Sequence, residues 1–426
     1  MRTAAAGLLA ALALAIPAAA EPAAWQADGA KVQWEIRVPG SPAGWVNAIT
    51  ELPDGTFLAS GFTGRDDLAE GEDWQAFTLR FDGSGRTLST HRDGVGSGTD
   101  ALWDVERGMD GGFVGVGFTD RIGAGGLDGW IVRLDADGSL LGETALGGPG
   151  YDRLTDIAPV VAGGFIAAGF TTVEGLGREF LVVRLDASGK EMWRRTYGGP
   201  GDQTALYIEP TGDGGFVAAG GGPGGATIVD DGDILVLRVS ADGDELWRRT
   251  IGDKAGSEIP HNLHILADGR IRMTGYTDVM GAGGTRDALA VTLSPGGNLL
   301  HAEHLKGPGE ERAMVSGLDG QGREWVTGYA TAVIRDGEGQ GPWDIFLTRV
   351  DAAGRFEGPA ISFDAGGDEH GTVVFPLPDG GALIGGYAGP AGAGGEDPII
   401  LRIAPPDWDI APMWTSSAFP SLKPAG

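Results

Sequence analysis

The chain has six histidines, and an imidazole is the side chain best suited to move a proton near neutral pH. Four of them, His261, His264, His301 and His304, fall close together. His264, with His370 further along, is the candidate for a catalytic acid or base. Two sets of acids also recur. One is Asp128, Glu179, Asp233, Asp287, Asp344 and Asp397, with Gln75 in the first such place. The other is Asp100, Asp152, Glu258, Glu311 and Glu369, with Gln203 and Gly44 in the two remaining places. Converging carboxylates beside backbone carbonyls are what Ca²⁺ prefers, so Asp100, Asp152, Glu258, Glu311 and Glu369 are the candidate metal ligands. No segment has a full EF-hand order; Asp230-Asp231-Gly232-Asp233 is only a fragment of one. The plainer role for a repeated acid is to accept backbone N–H bonds at a loop end or to pair with an Arg of its own unit.

Other chemistries are excluded. There is no Gly-x-Ser-x-Gly elbow, His-Glu-x-x-His zinc motif or phosphate loop. The absence of Cys rules out disulfides, thiolate metal sites and Cys nucleophiles.

These residues sit on a repeat. Its clearest copy runs Asp110-Gly111-Gly112-Phe113-Val114-Gly115-Val116-Gly117-Phe118-Thr119, then Asp128-Gly129-Trp130-Ile131-Val132-Arg133-Leu134-Asp135 and the turn Ala136-Asp137-Gly138. The Arg before the turn recurs as Arg80, Arg133, Arg184, Arg238, Thr292, Arg349 and Arg402, at spacings of 53, 51, 54, 54, 57 and 53 residues. Seven copies with several short strands each predict an all-β, seven-bladed β-propeller of four-stranded antiparallel blades. In each blade, strand A is a short run such as 154–158. Strand B is the Gly-Phe-Val segment, C the Trp-Ile-Val-Arg segment, and D carries Trp193 or its equivalent. Asp-Gly pairs mark the A–B hairpins, and glycine-ended turns mark C–D. The last copy lacks a D strand. Lys31-Val32-Gln33-Trp34-Glu35-Ile36-Arg37-Val38 matches that pattern, so residues 31–38 are expected to complete the last blade and close the ring.

Alternating strand direction places both acid sets on the D–A/B–C face, with the longest loops. It also separates the histidines. His261 and His264 share strand A at odd separation, while His301 and His304 lie in strand D, roughly 14 Å away at about 4.8 Å per strand. Trp74, Tyr151 and Trp343, in or beside the long loops, read first as inter-blade packing residues; a sugar ligand would draw on the same aromatics.

The strings Asp-Gly-Gly-Phe-Val-x-x-Gly, Asp-x-x-x-x-Arg-Leu-Asp-x-x-Gly and Trp-Arg-Arg-Thr-Tyr-Gly-Gly-x-Gly-Asp resemble the repeats of bacterial secreted seven-bladed β-propeller proteins, mostly of unknown function. The resemblance covers roughly residues 31–404 and implies a fold rather than an activity. Strand D also resembles the tryptophan-docking repeat of quinoproteins, but those have eight units and vicinal cysteines, and the Thr-Gly pair of that motif is missing from the strand D repeat here.

Residues 1–20, with Arg2, an apolar run to Ile16 and Ala18-Ala19-Ala20, have the form of a secretory signal peptide. The expected organisation is signal peptide 1–20, a single propeller over 21–404 and a Pro-rich tail over 405–426, in the periplasm or medium of a bacterium. The net charge of −28 becomes about −29 without Arg2. Such a chain repels nucleic acid and anionic lipid; no membrane insertion is expected. The expectation is a monomeric binding or interaction module whose acidic long-loop face takes a partner protein, a glycan or a cation. No cofactor is required, and Ca²⁺ is the one candidate. The alternative is a polysaccharide-acting enzyme, lyase or hydrolase, at the channel mouth of the same face. An enzyme needs asymmetry: one deep pocket with a His or Tyr and an Arg that break the sevenfold pattern.

Overall fold

The computed structural model describes residues 25–27, 29–38, 43–64, 74–93, 98–199, 201–222, 232–252, 256–278, 286–307, 309–331, 342–390, 397–410, 414–418 and 422–424. The expected signal peptide lies outside the described residues, as do residues 65–73, 223–231 and 332–341 of the long loops. Among the described residues there is no helix, and the strands form seven separate antiparallel sheets, each in the order A-B-C-D. The protein is a seven-bladed β-propeller. No helix is long and apolar enough to cross a membrane.

The inner wall consists of the seven A strands: Gly44–Glu51, Asp100–Arg107, Arg153–Pro159, Thr204–Pro210, Glu258–Ile265, Glu311–Leu318 and Gly367–Pro376. Each packs on the next around the ring. Apolar cores lie between blades, as where Ile345, Leu347, Ile361 and Phe363 of blade 6 meet Val374, Ile384 and Leu401 of blade 7. The residue at or just before the start of an A strand donates its N–H to a carbonyl near the start of strand C of the preceding blade. The pairs are Asp100 to Trp74, Asp152 to Leu127, Gln203 to Arg178, Glu258 to Gly232 and Glu311 to Arg286, all at 2.7–3.0 Å. This repeated clamp fixes the blade-to-blade register on the D–A/B–C face.

Every A strand carries a bulge in its middle, at Asn47, Trp103, Thr155, Leu206, His261, Met314 and Thr372. One strand B glycine in each blade accounts for the close approach beside it. A Cβ on Gly61, Gly117, Gly169, Gly220, Gly275, Gly328 or Gly386 would lie 1.8–1.9 Å from a strand A carbonyl. Only Gly fits there.

The ring closes as the repeat predicts. Val32–Arg37 pairs antiparallel with Asp397–Ile403, in the register Trp34↔Arg402, Glu35↔Leu401 and Ile36↔Ile400. Trp34 then lies under Gly85, which has φ +82° and no room for a Cβ. Trp193 under Gly243 and Trp247 under Gly297 repeat the contact, so the strand D tryptophans dock on the C–D turn of the next blade. The chain ends add further edge strands. Gln26–Ala27 joins the outer strand of blade 6, Thr415–Ala418 that of blade 5 and Lys423–Pro424 that of blade 4. Trp414 and Leu422 are buried in the cores beneath them, so the tail covers sheet edges that would otherwise invite pairing.

The Arg markers make hairpin-side ion pairs, with a different partner from the Asp two residues on. Arg80, Arg133, Arg238 and Arg402 reach Asp54, Asp110, Asp213 and Asp379 of their own A–B hairpins. The Asp two residues on (Asp82, Asp135, Asp186, Asp351) instead caps its own turn through backbone N–H groups.

Candidate functional site

The residue after each A-strand acid pairs across the ladder with the residue after the strand B glycine. Around the ring these pairs are Trp45/Phe62, Ala101/Phe118, Arg153/Phe170, Thr204/Gly221, Ile259/Tyr276, Arg312/Tyr329 and His370/Tyr387. The same backbone position therefore carries Phe in blades 1–3, Gly in blade 4 and Tyr in blades 5–7.

The tyrosine arc is a continuous polar-aromatic cluster in which Tyr276 and Tyr387 are buried, 3% and 4% exposed, and Tyr329 is half-buried. The His370 ring stacks on Tyr329 at 3.7 Å and on Tyr387 at 4.4 Å, with Trp343 edge-on at 5.8 Å. Its Nδ1 lies 2.6 Å from Tyr387 Oη. Arg312 donates to Tyr329 Oη at 3.3 Å and to Glu310 at 2.9 Å, and its guanidinium lies over Tyr276, Tyr329 and Trp343. His261 stacks on Tyr276 at 5.2 Å. His370, Tyr329, Arg312 and Trp343 are half-buried. Burial, with Arg312 close by, holds His370 near a pKa of about 3. Burial likewise raises the Tyr329 hydroxyl above its ordinary value, against the opposing pull of Arg312.

The two histidines named from the sequence are not brought together. His370 lies inside the last A strand, in the tyrosine arc. His264 lies near the far end of its A strand, 3.3 Å from Ser316 O and 3.9 Å from Glu209. It shares that region with acids that line blades 2–4. Asp104 Oδ2 accepts from Ile157 N at 3.1 Å and Asp156 Oδ2 from Ile208 N at 2.6 Å, so each acid pins the next blade. Burial raises both Asp pKa values, and the neighbouring Asp104 adds to the rise at Asp156. Burial and the same neighbour bring Glu106 and Glu209 to about 8. These groups have the geometry of structural pins holding neutral carboxyls.

The five candidate metal ligands occupy separate blade interfaces: Asp152, Glu311 and Glu369 lie close to the strand C acids Asp128, Asp287 and Asp344 of the preceding blades, whereas Asp100 follows the blade that has Gln75 in that place. Asp100 pairs with Arg121 at 2.5 Å. Asp152 accepts from Thr171, from Thr172 N at 3.1 Å and from Gly148 N at 2.8 Å. Glu258 accepts from Thr277 at 3.1 Å, and Glu311 from Gly309 N at 3.2 Å. Glu369 accepts from Gly367 N at 2.9 Å. Among the described residues, Glu369 alone of the five belongs to a group of three carboxylates, with Asp344 and Asp364.

Of the sugar-binding aromatics, Trp343 joins the tyrosine arc, whereas Trp74 is buried against Phe62 at 4.4 Å. Tyr151 is exposed and apart. Sequence reasoning did not single out Tyr276, Tyr329, Tyr387 or Arg312. The signal was present: the dipeptide after the strand B alanines and valines changes from Gly-Phe to Gly-Tyr in the last three blades.

No protein-family model matches the chain, and no curated protein matches it. Among solved structures, it is similar to a protein of unknown function from Dyadobacter fermentans, at 11% identity and a TM-score of 0.50, covering 88% of this chain and 99% of that one. It is similar to the polysaccharide lyase Uly1 at 10% identity and a TM-score of 0.51, with the same coverage. A Synechocystis apocarotenoid oxygenase aligns at 14% identity, over 90% of this chain and 97% of that one, with a TM-score of 0.45. At these identities the likeness is one of fold.

Proposed function

We propose that the protein is a polysaccharide-acting enzyme that cleaves a uronate-containing chain by β-elimination at the tyrosine arc. The observation that carries this is the placement of His370, Tyr387, Tyr329 and Arg312 in contact, in one part of an otherwise regular ring. It favours the enzyme over the binding module, because a binding surface does not need an imidazole hydrogen-bonded to a phenol beside a guanidinium.

β-Elimination needs a cation for the carboxylate, a base for the proton α to it and an acid for the leaving oxygen. Arg312 binds the uronate carboxylate and stabilises the charge that develops on it. With Nδ1 donating to Tyr387, His370 is neutral and presents Nε2 as the base, and a substrate carboxylate that pairs with Arg312 offsets the charge that helps hold its pKa down. The α proton passes to His370, its electron pair forms the C=C bond, and the C–O bond breaks. Tyr329 returns a proton to the departing oxygen. Trp343 supplies a face for a sugar ring. A hydrolase instead needs two carboxyl groups flanking the scissile bond. Among the described residues, Glu310 is engaged by Arg312 and Asp368 accepts from Trp343 N at 3.1 Å, so neither stands free to flank a scissile bond. The likeness to a polysaccharide lyase agrees with this reading at the level of fold.

The test is incubation with a panel of polyuronates, read by the ultraviolet absorbance of the new conjugated double bond. Turnover is expected with at least one, and is lost in His370→Ala and Arg312→Ala. Saturable binding with no double bond formed on any substrate would return the protein to the class of binding modules.

A further inference from the structure

Among the described residues, the strand D position that faces the strand C acid is glycine in blades 2–4 and departs from it in blades 5 and 6. Opposite Asp128, Glu179 and Asp233 stand Gly147, Gly198 and Gly252, each so close to the acid that a Cβ would collide with it. In blade 5 the position holds Lys306, whose Nζ pairs with Asp287 at 3.5 Å. In blade 6 it holds Asp364, a third carboxylate where the neighbouring blades have no side chain or a cation. Asp344, Asp364 and Glu369 thus offer three oxygens that all lie within 4.8 Å of one another, and no Lys or Arg pairs with them among the described residues.

A second observation points to a missing partner. Asp344 is 8% exposed, and its Oδ1 is buried without a hydrogen-bond partner, while its Oδ2 takes a hydrogen bond from Ser362 Oγ at 3.2 Å. A buried carboxylate oxygen with neither donor nor cation is costly. A hard divalent cation removes that cost and the mutual repulsion together. The donors are all oxygen, and among the described residues no nitrogen or sulfur ligand joins the group, which favours Ca²⁺ over zinc or copper.

We propose that Asp344, Asp364 and Glu369 form a Ca²⁺ site that ties the outer strand of blade 6 to the inner strand of blade 7. It lies beside the seam where Val32–Arg37 closes the ring, and Glu369 directly precedes His370. The cation braces the ring there and sets the position of the last A strand. It acts on folding and needs no turnover, so it stands or falls separately from the proposed activity.

The experiment uses the full chain stripped with EDTA, then titrated with CaCl₂ by calorimetry and melted with and without it. One Ca²⁺ per chain is expected, with a dissociation constant of about 10⁻⁴–10⁻³ M and a rise in Tm of about 2–4 °C at tenfold excess. Asp364→Asn keeps the shape and Asp364→Gly restores the pattern of the other blades. Both are expected to fold and to lose the Ca²⁺ response. Asp152→Asn, at another interface, keeps it. Absence of Ca²⁺ binding by the wild-type chain, or a response undiminished in both Asp364 variants, would overturn the proposal.

Discussion

Blades 1–3 and blades 5–7 share one backbone, and the ring after the strand B glycine differs between them by one hydroxyl group. In both, a strand B glycine lets strand A approach, and an aromatic ring follows it. In blades 1–3 that ring is Phe62, Phe118 or Phe170, each 2% exposed or less, sealed by Trp74, Trp103 and the guanidinium of Arg153. In blades 5–7 it is Tyr276, Tyr329 or Tyr387, joined by His261, Arg312 and His370. Trp45 stands at the seam between them, 5.5 Å from Phe62 and 5.6 Å from Tyr387. A symmetric fold gains a one-sided surface when hydroxyl, imidazole and guanidinium groups accumulate on adjacent blades while the opposite blades keep the same rings for packing.

The largest effect is expected from removing the oxygens of that surface. Tyr387→Phe and Tyr329→Phe give the last blades the rings of the first ones. Turnover of a polyuronate should fall about 10²–10⁴-fold, the usual worth of a positioned proton-transfer group. Tm should move little, since the phenyl ring keeps the stacking. Steady-state kinetics beside a thermal melt checks this. A large loss of Tm with normal turnover would mean that the tyrosines are packing residues like their Phe counterparts.

The two halves also differ in how they use charge. Blade 2 pairs Arg133 with Asp110 on the surface, the side chains 40% and 51% exposed. Blades 5 and 6 instead share the buried pair Arg272–Glu324 at 3.2 Å, 1% and 2% exposed. Arg272 is further held by Thr292 Oγ1 at 2.8 Å and Asp351 O at 3.2 Å. Breaking a buried pair strands a charge, so Glu324→Ala should cost about 3–5 kcal/mol, against about 0–1 kcal/mol for Asp110→Ala. Denaturant unfolding of the two variants measures the contrast. Equal losses would show that blades 5 and 6 draw no special stability from the pair.

A smaller, pH-dependent effect is expected from the acids of blades 2–4. Glu106 and Glu209 have folded pKa values near 8, above their ordinary value. The folded protein therefore binds protons more tightly than the unfolded chain. The stability this contributes is fully present below the ordinary glutamate pKa and is lost as pH rises through about 8. Glu106→Gln with Glu209→Gln should flatten the fall in Tm between neutral and mildly alkaline pH, by a few degrees at the alkaline end. An unchanged pH profile in the double variant would remove these acids from the account.

The scaffold could be read from the chain because it rests on local signals repeated seven times: Asp-Gly hairpins, glycine-ended turns and the orphan strand D pattern at residues 31–38. The site was harder to see because it lies in departures from the repeat. His370 stood out by residue type alone. Tyr329, Tyr387 and Arg312 emerge only when the blades are aligned on the strand B glycine and compared position by position. Asp364 is the same kind of departure, a carboxylate where the pattern has glycine. The C-terminal residues carry no repeat at all, so nothing local announced that they would pair with the outer strands of blades 5 and 4.

The reciprocal substitution, Phe118→Tyr, is the most delicate test of the two halves. Phe118 is fully buried, with Arg153 4.1 Å from its ring and Trp74 and Trp103 each at 5.8 Å. A hydroxyl added there enters a closed contact between blades 2 and 3 with no acceptor provided for it. An unpaired buried hydroxyl costs about 1–3 kcal/mol, so Tm should drop by a few degrees while turnover stays at the wild-type level. The direction is the opposite of Tyr387→Phe, which costs turnover and spares Tm. If Phe118→Tyr left Tm intact and altered turnover, blade 2 would open onto the same surface as blades 5–7. The one-sided site would then have to be redrawn as a ring.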